Sequence, residues 1–462
     1  MQIHYEFSND TASVVIWAHH GLFSPWETDS KGQSVQDVPG TGVANTLPMT
    51  RNNHTLPLHR LPQKSAPPLD LLSGVKVLDL STSIAGPYAG QLLADLGATV
   101  VKVERPGTGD DCRAWGPPFL DGASLWFLSV NRGKRSVALD YTQPDGHAAL
   151  ISLVENADVI LVNLVLRVQK KLRVDAASLQ AINPRLIHLS LTGFGLTNPR
   201  ADLPCYDLIA EGYSGVMDLT GEAGGAPQKV GTPAADLLSG SDAALAVVAA
   251  LCRRGQTQQG CAIDISMVES MARFMAPRLL PYLGSGELPR RSGGTDSVIA
   301  VYQVFDAADG PITLGLGNDG IWKRFWQAVG DPATAEDPSF KDNASRRARR
   351  PEIVRRIAAV LAQKPRTHWL TVLAEARVPC GPIYRLDEVA EDTPLLDAGF
   401  IYSSEGPDGP IPQVGLGIRF DGRSEGTTQP PPKLGADTEH VLREWGGLDS
   451  GELEQLRNQN LI

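Results

Sequence analysis

Cysteine is scarce in this 462-residue sequence. The five, Cys112, Cys205, Cys252, Cys261 and Cys380, are odd in number, widely spaced and without a CxxC pair. That excludes a disulfide framework or a zinc site and fits reduced thiols. Positive charge is also short: 42 Lys and Arg against 52 Asp and Glu leave a formal net charge of −10. A general nucleic-acid binder needs a basic footprint and is excluded, while a small anionic ligand held by a local basic cluster is not. No apolar run approaches the roughly 18 residues of a membrane span, and "MQIHYEF" lacks the layout of a signal peptide. GxGxxG, GxSxG, a Ser-His-Asp spacing and a P-loop are all missing. His19 and His20 are adjacent but lie in a loose leader, and the other histidines are scattered, so no metal site is expected. These absences lead to the expectation of a cytoplasmic protein with no permanently bound cofactor and no nucleic-acid or membrane partner.

What is present is enough for packed cores. The chain is 42% hydrophobic and 20% charged, and its length suits two or three domains. Residues 1–70 are rich in Pro, Gly, Asn, Thr and Ser and are expected to be largely disordered. Order is expected from Leu71. "VKVLDLS" (75–81) reads as a strand, "IAGPYAGQLLADLG" as a turn and helix, and "ATVVKVE" (98–104) as the next strand. The alternation continues through "PDGHAALISLVENA", "DVILVNL", "RLIHLSLTGFG" and "CAIDISM". It predicts a Rossmann-like α/β domain with a largely parallel sheet over 71–283. Residues 237–253 are apolar almost all round, which predicts a buried helix. From Arg290 the texture changes to two strands across a Gly-containing turn, several helices and a strand-like "VPCGPIYRL". That predicts a smaller α+β domain over 291–398. Residues 399–462 are read as a Pro- and Gly-rich return to the large domain, ending in a short helix at "SGELEQLRNQ".

Few residues are candidates for chemistry. The turn "SIAGPYAG" leaves a strand and opens a helix, where α/β proteins hold phosphates, although a plain tight turn reads the same way. Arg105 ends a strand, and Arg132, Lys134 and Arg135 crowd into four residues. Each suits either an anionic ligand or a solvated face. In "VGTPAADLLSG" (230–240), Asp236 precedes the long apolar stretch. It suits a helix N-cap or, with no other nucleophile in view, a nucleophilic carboxylate. The two are compatible, since a helix N-terminus is expected to keep an Asp ionised.

Six segments, in order from Leu72 onward, resemble the class III coenzyme A transferases, the CaiB/BaiF family that includes carnitine and formyl-CoA transferases. They are "GVKVLDLSTSIAGPYAGQLLADLGATVVKVERPGTGDD", "WFLSVNRGKRSVALDYTQPDG", "YDLIAEGYSGVMDLTGE", "VGTPAADLLSG", "VYQVFDAADGP" and "VPCGPI". The resemblance implies that coenzyme A passes from an acyl-CoA to a small carboxylic acid, with Asp236 as nucleophile, through an aspartyl anhydride and an aspartyl-CoA thioester. It implies a glycine loop at Gly293 and Gly294 that supplies oxyanion donors. It implies CoA contacts at Ile84, Ala85, Arg105, Lys134, Arg135, Asn163 and Lys171, and an interlocked homodimer. The family's Asn-Phe-(basic)-Pro-Gly pattern is replaced here by "NLVLRVQKK". Three alternatives compete. The α-methylacyl-CoA racemases share the fold but carry His where this chain has Tyr206 and Glu where it has Asn318. A non-catalytic CoA-binding protein would not need Asp236. A nicotinamide oxidoreductase would rest on the first βαβ unit alone.

Overall fold

In a computed structural model of the protein, residues 57–64, 69–296, 298–422 and 426–462 are described. The disorder expected for 1–56 and 65–68, and the histidine pair within it, lie outside these residues. Part of the supposed leader is ordered: Pro57–Arg60 form a 3-10 turn, and Gln63 bridges to Ser403.

The main sheet has six parallel strands: β1 (Lys76–Asp79), β2 (Thr99–Glu104), β3 (Lys134–Ala138), β4 (Val159–Val162), β5 (Ile187–Thr192) and β6 (Cys261–Ser266). Their order in the sheet is β3-β2-β1-β4-β5-β6, the doubly wound arrangement of dinucleotide-binding folds. Val77 of β1 pairs with Val100 on one side and Val159 on the other. Side chains alternate across the sheet, so neighbouring residues enter different cores. Val77, Val100, Val159 and Leu161 face one core, and Leu78, Val101, Ile160 and Val162 the other.

The first core is covered by helices α1 (Ala85–Asp95), α3 (Asp207–Ser214), α4 (Ala234–Thr257) and α5 (Met267–Phe274). Helix α2 (Leu166–Leu172) follows β4, and α6 (Ala276–Ser285) follows α5. The second core is closed by Pro144–Glu155 and by the chain's end, through Val441, Leu442, Trp445, Leu453 and Leu456. The sequence reading missed one helix of that end, Thr438–Glu444, and a hairpin, β10 (Ile401–Gly406) with β11 (Gly409–Val414).

Helix α4 departs from expectation. By length and composition it could cross a bilayer, contrary to the sequence reading that no run was long enough. It is not buried all round. Ala235, Ser239, Ala243 and Val247 are buried, whereas Leu245 is 65% exposed. Its head lies close to α1: a Cβ at Gly240 would sit 2.6 Å from the Ala85 carbonyl oxygen, so only glycine permits this approach.

Residues 301–378 hold a third core. An antiparallel sheet, β7 (Tyr302–Ala307), β8 (Gly310–Gly315) and β9 (Cys380–Pro382), has β8 in the middle. Phe305, Ile312 and Leu314 pack beneath Trp322, Phe325, Trp326 and Trp369.

Candidate active site

A doubly wound sheet opens a crevice beyond the carboxyl ends of its strands, where the strand order reverses. Here that point lies between β1 and β4, and the chain leaving β1 is held there in detail. The Thr82 N–H donates to Asn163 Oδ1 (3.1 Å), and Asn163 Nδ2 donates back to the Thr82 carbonyl (2.8 Å). Ser83 has φ +72, a left-handed conformation unusual outside glycine. Its N–H donates to Asp110 Oδ1 (3.0 Å). Lys102 Nζ donates to the Ser81 carbonyl (2.7 Å) and pairs with Asp110 (2.8 Å). The turn therefore keeps a strained shape because buried charges grip its backbone. Ile84 and Ala85 lie at its end, both buried, at the head of α1. The first amides of a helix lack intrahelical partners and suit a polar or anionic ligand.

The basic residues expected at this crevice divide sharply. Lys134 is wholly buried and donates to Asp79 Oδ2 (2.8 Å), the Pro87 carbonyl (2.7 Å) and Asn131 Oδ1 (2.8 Å). Burial pushes its pKa down to about 8, although Asp79 opposes this. All three donors of the ammonium are engaged inside the fold, so the expectation of a ligand contact is corrected: Lys134 is a structural ion. Arg135 pairs with Glu444 (2.8 Å). Arg105 is exposed and joins Asp111 and the Gly109 carbonyl. Asn163 clamps Thr82, as above. Lys171 is exposed on α2 beside Arg167, Lys170 and Arg173, also exposed. None of these four cations has an ion pair among the described residues. In a chain of net charge −10, they form a free basic patch just beyond β4.

Asp236 is not the N-cap. Helix α4 starts at Ala234, behind Pro233, and no side chain of its own segment caps it. Asp236 is the third helical residue, and the cap comes from another helix. Asp207 Oδ1 accepts from the N–H groups of Ala235 (2.8 Å) and Asp236 (3.2 Å). One turn along α3, Glu211 Oε2 accepts from the Val230 N–H (2.9 Å). Two carboxyl groups thus hold the start of α4. This also reverses the expected influence of the helix N-terminus. The amides that would have favoured an ionised Asp236 are taken by Asp207. Burial first, and then the like charge of Asp207, push the Asp236 carboxyl up to about 7.

Neighbouring contacts place Asp236 at the crevice. Leu237 packs into the cluster formed by Ile84, Tyr88 and Phe127, so the heads of α1 and α4 lie side by side. Cys205 lies near enough that the Asp236 charge, after burial, raises its thiol to about 11. It stays protonated and does not compete as a nucleophile.

The glycine loop is held by contacts of its own. The Gly293 N–H donates to the Gly221 carbonyl (3.0 Å), and the Gly294 carbonyl accepts from the Val304 N–H (3.2 Å). Gly293 has φ +60, and a Cβ there would lie 2.7 Å from Glu222 Oε2. No hydrogen bond among the described residues joins the loop to Asp236. The Gly293 N–H is thus engaged, whereas the Gly294 N–H has no backbone acceptor among the described residues. A hollow of about 410 Å³ opens beside Gly294, lined also by Tyr302, Gln303, Thr313 and Cys380. Of the two racemase positions, Tyr206 is 68% exposed. Asn318 caps the helix Asp319–Ala328, accepting from the Ile321 N–H (2.9 Å).

Asp207 and Glu211 escaped the sequence reading as functional residues. Their four-residue spacing puts both on one helix face, and that was the available signal. Their partners lie 19 to 29 positions away along the chain.

Comparison with known proteins bears on this geometry. The family model described as "CoA-transferase family III" matches residues 72–438. The succinate–glutarate CoA-transferase of Agrobacterium fabrum is 38% identical over 380 residues, covering 81% of this chain and 95% of that protein. The acetyl-CoA:oxalate CoA-transferase of Acetobacter aceti is 37% identical over 330 residues, covering 71% of this chain and 84% of that protein. Among solved structures, a CaiB/BaiF family protein from Brucella suis matches with a TM-score of 0.72 and 36% identity, over 81% of this chain and 99% of that one.

Proposed function

The chain belongs to CoA-transferase family III, and on that premise we propose that it moves coenzyme A from an acyl-CoA to a short dicarboxylic acid, with Asp236 as the covalent nucleophile. The observation that carries the mechanism is Asp236 itself, a partly buried carboxylate at the head of α4 beside the turn at Ile84 and Ala85.

The steps balance without an external energy source, because a thioester is exchanged for a thioester. The Asp236 carboxylate attacks the thioester carbonyl, the C–S bond breaks, and CoA thiolate leaves an acyl-aspartyl anhydride. The thiolate then attacks the Asp236 carbonyl, which releases the donor acid and leaves an aspartyl-CoA thioester. The acceptor carboxylate attacks that thioester to give a second anhydride and thiolate. The thiolate finally attacks the acceptor's carbonyl, releasing the new acyl-CoA and the free Asp236 carboxylate. Positioning and exclusion of water matter most, since an anhydride exposed to water hydrolyses. The Gly294 N–H is suited to the oxyanion of each tetrahedral stage.

The dicarboxylate assignment rests on the relatives, whose names specify succinate, glutarate and oxalate. A screen of acyl-CoA donors against mono- and dicarboxylates, read by mass spectrometry, tests it. Succinate, glutarate or oxalate is expected to accept CoA far faster than acetate or butyrate. Equal use of monocarboxylates would sink the assignment.

For the nucleotide end of CoA, the free cations on α2 are the candidates. Replacing Lys170 and Lys171 together by Ala is expected to raise KM for acyl-CoA by about three- to tenfold at low salt. The effect on kcat should be small, and the KM difference should shrink as salt screens it. An unchanged KM at low salt would move the phosphates elsewhere. A homodimer fits the exposed apolar residues of α6 and its flank, Leu280, Leu283 and Leu288, none of which is covered among the described residues.

A further inference from the structure

Glu211 presents an unusual arrangement. Its side chain is wholly buried, Oε2 accepts from the Val230 N–H, and Oε1 has no hydrogen-bond donor among the described residues. An ionised carboxylate buried with one oxygen unserved is costly. Asp207 lies one helical turn back on the same face of α3 and already holds the Ala235 and Asp236 amides.

We propose that Glu211 and Asp207 form a carboxyl–carboxylate pair that shares one proton and acts as a positioning device for Asp236. A proton on Oε1 makes it a donor, and Asp207 is the acceptor that the i, i+4 spacing brings near. Two adjacent carboxylates, one of them wholly buried, do not both ionise readily. Three consequences follow from the pairing. The orphan oxygen is satisfied. Asp207 is steadied while it holds α4. The charge beside Asp236 stays at one rather than two. The inference rests on the reading of Asp236 as nucleophile for its functional meaning, though not for the pair itself.

The surroundings agree. Burial, joined by the charge of Asp207, raises the Glu211 carboxyl above its ordinary range, against the pull of the Val230 and Ala234 N–H groups and Lys229. Lys229 is exposed and donates to the Val230 carbonyl. From the first half of α4 the charged groups are Asp236 and Asp242, the latter paired with Arg273 of α5, while Arg253 and Arg254 lie at the helix's far end, Arg254 paired with Asp158. Helix α5 meets α3 through Met267 and Met271, which share a core with Ala210, while its Glu269 lines a hollow with Phe194 and Arg200. No cation in this set forms an ion pair with Glu211.

Infrared difference spectra at neutral pH test the pair directly. They are best taken in the Asp236→Ala background, where Asp236 cannot contribute a protonated-carboxyl signal. A protonated-carboxyl band is expected there and should disappear when Glu211→Gln is added. In otherwise wild-type protein, Glu211→Ala is expected to lower kcat by about tenfold to a hundredfold, through a misplaced nucleophile, with KM for acyl-CoA nearly unchanged. Glu211→Gln keeps an acceptor for Val230 and a donor toward Asp207, and should rescue kcat to within about threefold of wild type. Absence of the band, or Gln as damaging as Ala, would overturn the proposal. Should Glu211→Ala fail to fold, the band and the Gln variant still decide. Persistent activity in Asp236→Ala would defeat the nucleophile and leave the infrared result standing for the pair.

Discussion

Asp236→Ala is expected to lower exchange of CoA between acyl-CoA and carboxylate by about a thousandfold or more, while CoA still binds. The expectation follows from the proposed covalent role: a sequence that forms two successive bonds to one carboxylate has no substitute when that carboxylate is gone. Cys205, the nearby thiol, is held protonated by burial and by Asp236, so it offers no second route. Hydroxylamine trapping during turnover should mark Asp236 and no other residue. Turnover unchanged in the Ala variant, or an adduct elsewhere, would end the assignment.

Stability gives an internal control for that variant. The Asp236 carboxyl is raised to about 7 from its ordinary value of 3.8. The folded state therefore favours the neutral form. Ionisation of Asp236 costs the fold nothing at low pH, costs progressively more as pH rises from the ordinary carboxylate range toward 7, and costs its full amount above that. Asp236→Ala removes this cost. It should melt at least as high as wild type at pH 8, with its advantage shrinking toward pH 5. Melting curves across that range separate loss of chemistry from loss of fold.

The second large effect is on the pH dependence of turnover. A carboxylate in the proposed nucleophilic role must be ionised, and Asp236, with its carboxyl pushed up to about 7, changes charge near neutral pH. Below pH 7, kcat/KM is expected to fall by about tenfold per pH unit. Burial is the larger cause of the shift and Asp207 the second, so only part of it is open to mutation. Asp207→Asn retains an oxygen acceptor for the Ala235 and Asp236 amides and removes the neighbouring charge. Its acidic limb should move to lower pH, with a lower kcat from any loosening of the cap. A profile flat to pH 5 in wild type, or a limb that Asp207→Asn leaves in place, would refute this account of the electrostatics.

Much of the fold was legible because local pattern and tertiary structure agree. Five strands of the main sheet, β1, β2, β4, β5 and β6, were visible as apolar runs, most clearly β4 and β5, because a strand buried on both faces has no polar side to confuse the pattern; β3 begins at Lys134, inside the basic cluster that was not itself read as a strand. The hairpin at 401–414 and the helix Thr438–Glu444 were missed because Pro and Gly dominate around them. Their order comes from docking, of the hairpin onto the segment before residue 65 and of the helix onto the sheet. Lys134 illustrates the limit at the site. A basic cluster reads alike whether its charges face a ligand or the core, and only the assembled fold brings Asp79, Asn131 and the Pro87 carbonyl onto one ammonium.

The sequence by itself determined the alternating architecture and the family resemblance, and singled out Asp236 as the candidate nucleophile, because each is written in contiguous residues whose order and spacing are preserved in one dimension. Tertiary structure alone decided how Asp236 is tuned. Its helix is capped by Asp207, 29 residues away, and packs closely on α1 at Gly240. Charge interactions and desolvation depend on distance through space, and residues that set a carboxylate's pKa need not be near it in the chain. "VGTPAADLLSG" carries the carboxylate proposed as the nucleophile, and the fold around it raises the pH at which that carboxylate ionises.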